Sequence, residues 1–249
     1  MTGPMRRRAR PLLGTLVEVA VPEGHAQADA ALAAAFDAVA QVERLMSAHR
    51  DDSDLGRSLA AAAGEPVAVH PWTAEVLQLA TDLHAASGGR FDVALGTGRW
   101  RLLHEDGLPP RLVRHAQAVR LDLGGLAKGW AVDAAIAAVQ AMGVDTVWVN
   151  AGGDLRVQGM AVPITLRDEQ QGGVQPWGEL ADGALATSDF RPGARAQGVG
   201  LQTRHVSVAA PRCAWADGLT KVVAACGSPD HPVARDMLRH YGAQAWIHA

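Results

Sequence analysis

V-R-L-D-L-G-G-L-A-K-G-W-A-V-D at Val119–Asp133 and V-D-T-V-W-V-N-A-G-G-D-L-R-V-Q-G at Val144–Gly159 decide how this chain is read. Apolar and polar residues alternate over Val119–Leu123, the pattern of a half-buried strand. Gly124 and Gly125 then permit a tight turn that brings backbone close to a ligand. From Leu126 to about Met142 apolar residues recur at helical spacing, and Gly143 is a stop signal. Val144–Val149 reads as a second strand closed by a turn at Asn150–Asp154. A glycine turn leading into a helix with Lys128 in its first turn is suited to an anion, because free backbone N–H groups and the helix dipole point at it. The loop has neither the Walker spacing nor the G-x-G-x-x-G of a dinucleotide fold, so an ordinary βαβ connection with a solvated lysine is equally open.

Composition narrows the class. The chain has 249 residues, 48% hydrophobic and 20% charged, with a net charge of −3. Those values belong to a globular protein with a sizeable core and no general polyanion-binding field, so nucleic acid is not an expected partner. The run Arg6-Arg7-Arg8 with Arg10 is short and reads as a solvated arm. Cys213 and Cys226 form no C-x-x-C pair and read as free, largely buried thiols. No apolar run reaches membrane-spanning length, and Pro11–Val21 lacks the features of a signal peptide, so a cytoplasmic setting without a membrane anchor is the default expectation.

Along the rest of the chain, Leu12–Val21 alternates as an opening strand, and Ala26–Ala48 carries an apolar helical stripe at Leu32, Phe36, Val39, Val42, Leu45 and Met46. Leu55–Ala63 suggests a short helix and Val67–Val69 a short strand. A helix from Thr73 to Ala86 is expected, with Thr73 as its cap. Strands are expected at Val162–Leu166, Gly183–Ser188, His205–Ala209 and Ala243–Ile247. Gln170–Gly173 reads as a loop, and Arg191–Gln202 has no periodicity. Helices are expected at Ala214–Ala225 and Pro232–Tyr241.

Six segments then stand in order: R-P-L-L-G-T, S-G-G-R-F-D, D-L-G-G-L-A-K-G-W-A-V-D, N-A-G-G-D-L, A-T-S and A-D-G-L-T-K. Together, over about Pro11 to Gly227, the chain resembles the FAD:protein FMN transferases, the ApbE family. The resemblance implies a single α+β domain over 1–249, a two-lobe α/β sandwich with the flavin nucleotide in the cleft between intimately packed lobes. It implies a reaction in which Mg2+ assists transfer of FMN from FAD to a Thr or Ser hydroxyl of an acceptor flavoprotein, releasing AMP. Such a transfer needs charge neutralised on the pyrophosphate more than it needs covalent catalysis. By position, the resemblance assigns the metal to the Gly125 carbonyl and the Asp217 carboxylate. Lys128 falls at a nucleotide contact, and Arg90, Phe91 and Asp92 on the turn lining FAD. Leu13 replaces the methionine of M-G-T, and His49 stands at an adenine-packing aromatic. Without the resemblance, His49 is a helix-end histidine, Asp154 fixes a turn, and Trp100, Trp130 and Trp148 are packing residues.

The chain departs from the family pattern at three places. Lys221 stands where a metal-binding threonine is usual, and a charged ammonium has no lone pair for a metal. Either Thr220, about 100° away around the helix, takes that place or Lys221 neutralises the pyrophosphate itself. The H-x-x-D-P-x-T-G segment is missing, and A-T-S-G has become A-T-S-D at Asp189. These departures keep two further readings open: a non-catalytic FAD-binding protein on the same fold, and a pyrophosphatase giving FMN and AMP.

Overall fold

The computed structural model describes residues 3–167, 173–190 and 205–248. Met5–Leu12 (β1) and Thr15–Pro22 (β2) form a hairpin whose two-residue turn, Leu13-Gly14, has positive φ at both positions, 55° and 67°. This turn matches the right-handed twist of its strands, although leucine rarely adopts it. The Leu13 N–H donates to Glu43 Oε1 at 3.1 Å, which ties the turn to the helix Ala28–Met46 (α1). That helix buries Leu32, Phe36, Val39, Val42 and Met46, the stripe expected from sequence.

Next come Asp54–Ala60 (α2), Val67–Ala68 (β3), Pro71–Ala86 (α3), Trp100–Leu103 (β4) and Arg111–Arg114 (β5). The three strands form a small antiparallel sheet in the order β3-β5-β4. The start of α3 corrects the sequence reading. His70 is the cap, its ring accepting from the Trp72 N–H at 3.1 Å, and Pro71 opens the helix. Thr73 is buried and donates to Asp54 instead.

Ala127–Ala141 (α4) leads into a hairpin of Val147–Ala151 (β6) and Asp154–Gln158 (β7), turned through Gly152 and Gly153. Ala161–Arg167 (β8) pairs with Val174–Ala181 (β9). Ala184–Asp189 (β10), His205–Ala210 (β11), Cys213–Cys226 (α5), Pro232–His240 (α6) and Gln244–His248 (β12) complete the elements. The main sheet has seven strands in the order β1-β2-β6-β7-β10-β11-β12, each paired antiparallel with its neighbours.

One face of this sheet packs Val17, Val19, Val149, Ala186 and Val208 into the core with α1, α4 and α5. On the opposite face Leu155, Val157 and Leu185 pack with Ile164 of β8 and Leu180 of β9. Helices gathered on one face of an antiparallel sheet make the architecture α+β.

Two further sequence readings change for identifiable reasons. Val119–Leu123 is not a strand. Its apolar members are buried, but its backbone bonds elsewhere: Arg114 Nη1 donates to the Val119 carbonyl at 3.0 Å, Thr97 Oγ1 to the Arg120 carbonyl at 3.2 Å, and the Asp122 N–H to the Val93 carbonyl at 2.8 Å. The central unit is therefore not βαβ. The arginine run is largely exposed as expected, but it is not an arm, because it is β1, the edge strand of the main sheet. Arg6 and Arg8 both reach Asp29, and Arg7 and Arg10 lie over the rings of Trp148 and Phe36. Charged side chains on an edge strand also discourage pairing with other chains. The loop expected at Gln170–Gly173 lies, except for Gly173, outside the described residues, and so does the aperiodic segment Arg191–Gln202.

Candidate functional site

Two helices meet at a point with no side chain. An alanine Cβ at Gly129, in the first turn of α4, would lie 2.7 Å from the Cys213 carbonyl carbon and 2.8 Å from Ala214 Cα of α5. Only glycine lets the backbones approach so closely. Asp133, one turn further along α4, fastens the contact by accepting from the Cys213 and Ala214 N–H groups at 2.9 and 3.0 Å. It also pairs with Arg156 at 2.7 Å and Arg212 at 3.6 Å.

This crossing delivers Asp217 of α5 to the start of α4. Asp217 is fully buried, and its Oδ2 accepts from the Gly129 N–H at 3.2 Å. The Leu126 side chain supplies no cap, so Asp217 provides an acceptor for α4 from a different helix. The Lys128 ammonium pairs with Asp154 and lies 3.9 Å from Asp217 Oδ2. The Lys221 ammonium pairs with Asp217 Oδ1 and donates to the Asp217 carbonyl at 3.1 Å and to Ser188 Oγ at 3.0 Å. Lys221 Cε would lie 3.3 Å from a Cβ on Gly125, so the stem runs along the glycine turn. Phe91 Cε2 would be 3.8 Å from the same point. Thr220 Oγ1 donates to the Asp217 carbonyl at 2.7 Å and bonds to Ser188 Oγ at 2.8 Å.

The sequence-derived candidates thus divide. Gly125, Phe91, Lys128, Asp217, Thr220 and Lys221 are brought together. Leu13 lies in the β1–β2 turn, where its N–H is tied to Glu43 of α1 and not to the cluster. Asp92 turns its carboxylate inward on its own loop, accepting from the Ala94 and Gly96 N–H groups at 2.8 Å each. Arg90 is exposed and donates to the Ser87 carbonyl at 3.0 Å. His49 is exposed just beyond α1, and its N–H donates to Ser47 Oγ at 3.2 Å.

Three residues of the cluster lie outside the candidates that the sequence offers. By sequence Asp154 is a turn residue, Ser188 a strand end and Asp133 a residue of the helix after the glycine turn. The only available signal was their place in the segments N-A-G-G-D-L, A-T-S and G-W-A-V-D.

The electrostatics follow from burial and pairing. Burial works against ionisation of Asp217, but Lys128, Lys221 and the Gly129 N–H outweigh it and hold the carboxyl below its ordinary value. Asp154 goes the other way: burial and the charge of Asp217 raise it, only partly offset by the two lysines. Its Oδ1 is buried without a partner among the described residues. Burial lowers Lys128, but Asp154 and Asp217 more than compensate, so it is raised and remains charged.

Cations held at a helix start beside a glycine turn suit a phosphate-bearing ligand. A divalent metal in the place implied by Gly125, Asp217 and Thr220 does not fit. Lys221 already takes Asp217 Oδ1 and the Asp217 carbonyl, the oxygens such an ion would need. Among the described residues no group of three or more His, Cys, Asp or Glu side chains is disposed to hold a metal ion.

The ApbE family profile matches residues 13–106 and 98–190, well over half of the sequence. The chain belongs to the ApbE family. Among curated proteins it is similar to the FAD:protein FMN transferase of Treponema pallidum, with 31% identity over 186 residues, covering 61% of this chain and 51% of that protein. It is also similar to the Vibrio cholerae protein of the same name, with 29% identity covering 61% and 55%. This ApbE-family chain thus spans about half the length of the curated relatives it matches.

Among solved structures, the flavin transferase ApbE from Vibrio cholerae superposes with a TM-score of 0.79 at 20% identity, covering 98% of this chain and 94% of that one. The ApbE protein of Thermotoga maritima gives 0.82 at 21%, with the same coverage. At such identities the likeness concerns the fold, and the α+β architecture agrees with it.

Proposed function

We propose that the protein transfers FMN from FAD to a Thr or Ser hydroxyl of an acceptor flavoprotein and releases AMP, in the cytoplasm. The observation that carries this reading is the meeting of the Gly124-Gly125 turn, Lys128, Asp217 and Lys221 at the start of α4, in a chain of the ApbE family. In the balanced reaction, the acceptor oxygen bonds to the phosphorus on the FMN side of the pyrophosphate. The P–O bond to the AMP phosphate breaks, AMP leaves with that electron pair, and the hydroxyl proton passes to solvent.

The work of such a site is to place the diphosphate and hold positive charge beside it as negative charge moves onto the leaving phosphate. Lys128, with 34% of its side chain exposed, reaches solvent and would meet a phosphate oxygen. Asp217 is a positioning residue in this scheme. Held ionised and enclosed by two lysines and an N–H, it fixes the cations and is a poor proton acceptor. The turn Ser87–Asp92 would border the flavin in the cleft between the two proposed lobes, with Phe91 against Gly125. Mg2+ has no part in this scheme, because Lys221 stands where that ion is implied.

Incubation with FAD and an acceptor domain carrying a Thr or Ser target tests the reading. A covalent fluorescent flavin band on the acceptor with stoichiometric AMP is the expected result. FAD bound without AMP release would replace the proposal with a binding protein. Equal amounts of AMP and free FMN without an acceptor would replace it with a pyrophosphatase.

A further inference from the structure

We propose that the Lys221 ammonium is a built-in substitute for a divalent cation, so that this chain holds its diphosphate nucleotide without a metal. The inference deepens the transferase reading as regards the nucleotide. Its claim about the cation stands on the geometry alone.

The ammonium touches three oxygens of three kinds: the Asp217 carboxylate, the Asp217 main-chain carbonyl at 3.1 Å and the Ser188 hydroxyl at 3.0 Å. Carboxylate, carbonyl and hydroxyl oxygens are the donor set of a hard divalent ion. Here they match the three N–H donors of a single lysine. Lys221 follows Asp217 by one helical turn, with the acid toward the N-terminus, the better orientation for such a pair. An ordinary surface pair of this kind is exposed and worth little. This one is not: the Lys221 side chain is 12% exposed and Asp217 fully buried, and the lysine stem lies along Gly125.

Charge balance favours the ammonium over a metal. Lys128 and Lys221 already match Asp154 and Asp217. A divalent ion beside the ammonium would meet twice the repulsion of a second unit charge there. Binding a metal would therefore require expelling Lys221 from all three oxygens. Conversely, removing the ammonium would leave those oxygens facing the glycine turn with a net negative charge.

Mn2+ added to the chain without nucleotide, followed by its electron paramagnetic resonance signal, tests the cation claim. The wild type is expected to leave Mn2+ free, whereas Lys221→Thr binds one ion per chain and loses it when Asp217→Asn is added. One Mn2+ bound by the wild type and lost in Asp217→Asn overturns the proposal, as does a folded Lys221→Thr variant that binds none. If circular dichroism shows Lys221→Thr unfolded, the wild-type measurement still decides.

FAD binding, read from flavin fluorescence, tests the nucleotide claim. Wild-type affinity should be equal in EDTA and in Mg2+, and a gain of about tenfold with Mg2+, a difference of about 1.4 kcal/mol, overturns it. A wild type that binds no FAD in either condition defeats the transferase reading and the nucleotide claim, while the Mn2+ result still judges the cation claim.

Discussion

Replacing Gly129 by alanine tests the helix crossing on which the whole site depends. In an exposed helix interior the change would stabilise the protein by about 1 kcal/mol, because alanine is the better helix former. Here the new methyl would lie 2.7 Å from the Cys213 carbonyl carbon and 2.8 Å from Ala214 Cα. Carbon atoms rest about 3.5–4.0 Å apart, so α5 must retreat by roughly 1 Å. The obstacles are backbone atoms, which cannot rotate aside, so the strain belongs at the upper end of overpacking costs, about 3 kcal/mol.

The retreat also stretches the 3.2 Å bond from the Gly129 N–H to Asp217, and hydrogen bonds to charged groups contribute about 1.5–3 kcal/mol. After subtracting the propensity gain, Gly129→Ala should lose about 3.5–5 kcal/mol. Urea unfolding followed by circular dichroism should show the midpoint lowered by at least about 1 M, given typical denaturant slopes. Gly218→Ala is the control. Its methyl would meet only the ends of the Leu83 and Leu126 side chains, which can move, so a loss nearer 1 kcal/mol is expected. A Gly129→Ala midpoint at or above the wild-type value would refute the close crossing and the delivery of Asp217 by it.

Other expectations follow from single contacts. Asp217 is held below its ordinary carboxyl value, so its stabilising contribution is complete above about pH 4 and is lost as pH falls through its depressed native value. Asp154, shifted upward, has the opposite sign, its cost growing as pH rises through its raised value. Stability measured against pH should therefore lose part of its acid limb in Asp217→Asn, and an unchanged limb would contradict the assignment. Arg114 is buried and donates to the carbonyls of Ser58, Leu59, Ala61, Gln117 and Val119 at 2.8–3.2 Å. Lysine cannot reproduce that fork, so Arg114→Lys should cost about 2–4 kcal/mol in chemical unfolding. Burial, together with the nearby carboxylates, raises the Cys213 thiol well above its ordinary value, while Cys226 is raised less and is partly exposed. A thiol reagent should therefore label Cys226 alone in the native chain at mildly alkaline pH, and both cysteines after denaturation.

Sequence determined what local rules control. The stripe on α1, the glycine stop after α4 and the strands β10 and β11 depend on residue pattern within one element, and they appear within a few residues of their expected bounds. The ordered segments also marked which residues would gather, because Gly125, Lys128, Asp217 and Lys221 lie inside them. The tertiary structure decided what depends on partners distant along the chain. Val119–Leu123 alternates like a strand, yet Arg114 and Thr97 claim its carbonyls, and no periodicity records that competition. Asp154 looks like a turn residue until Lys128 of α4 meets it, and Asp133 like a helix residue until α5 crosses it. Whether Lys221 faced solvent, a metal or the glycine turn was likewise undetermined, since a flexible side chain goes where distant oxygens are brought to it. The crossing at Gly129 places Asp217, and with it those oxygens.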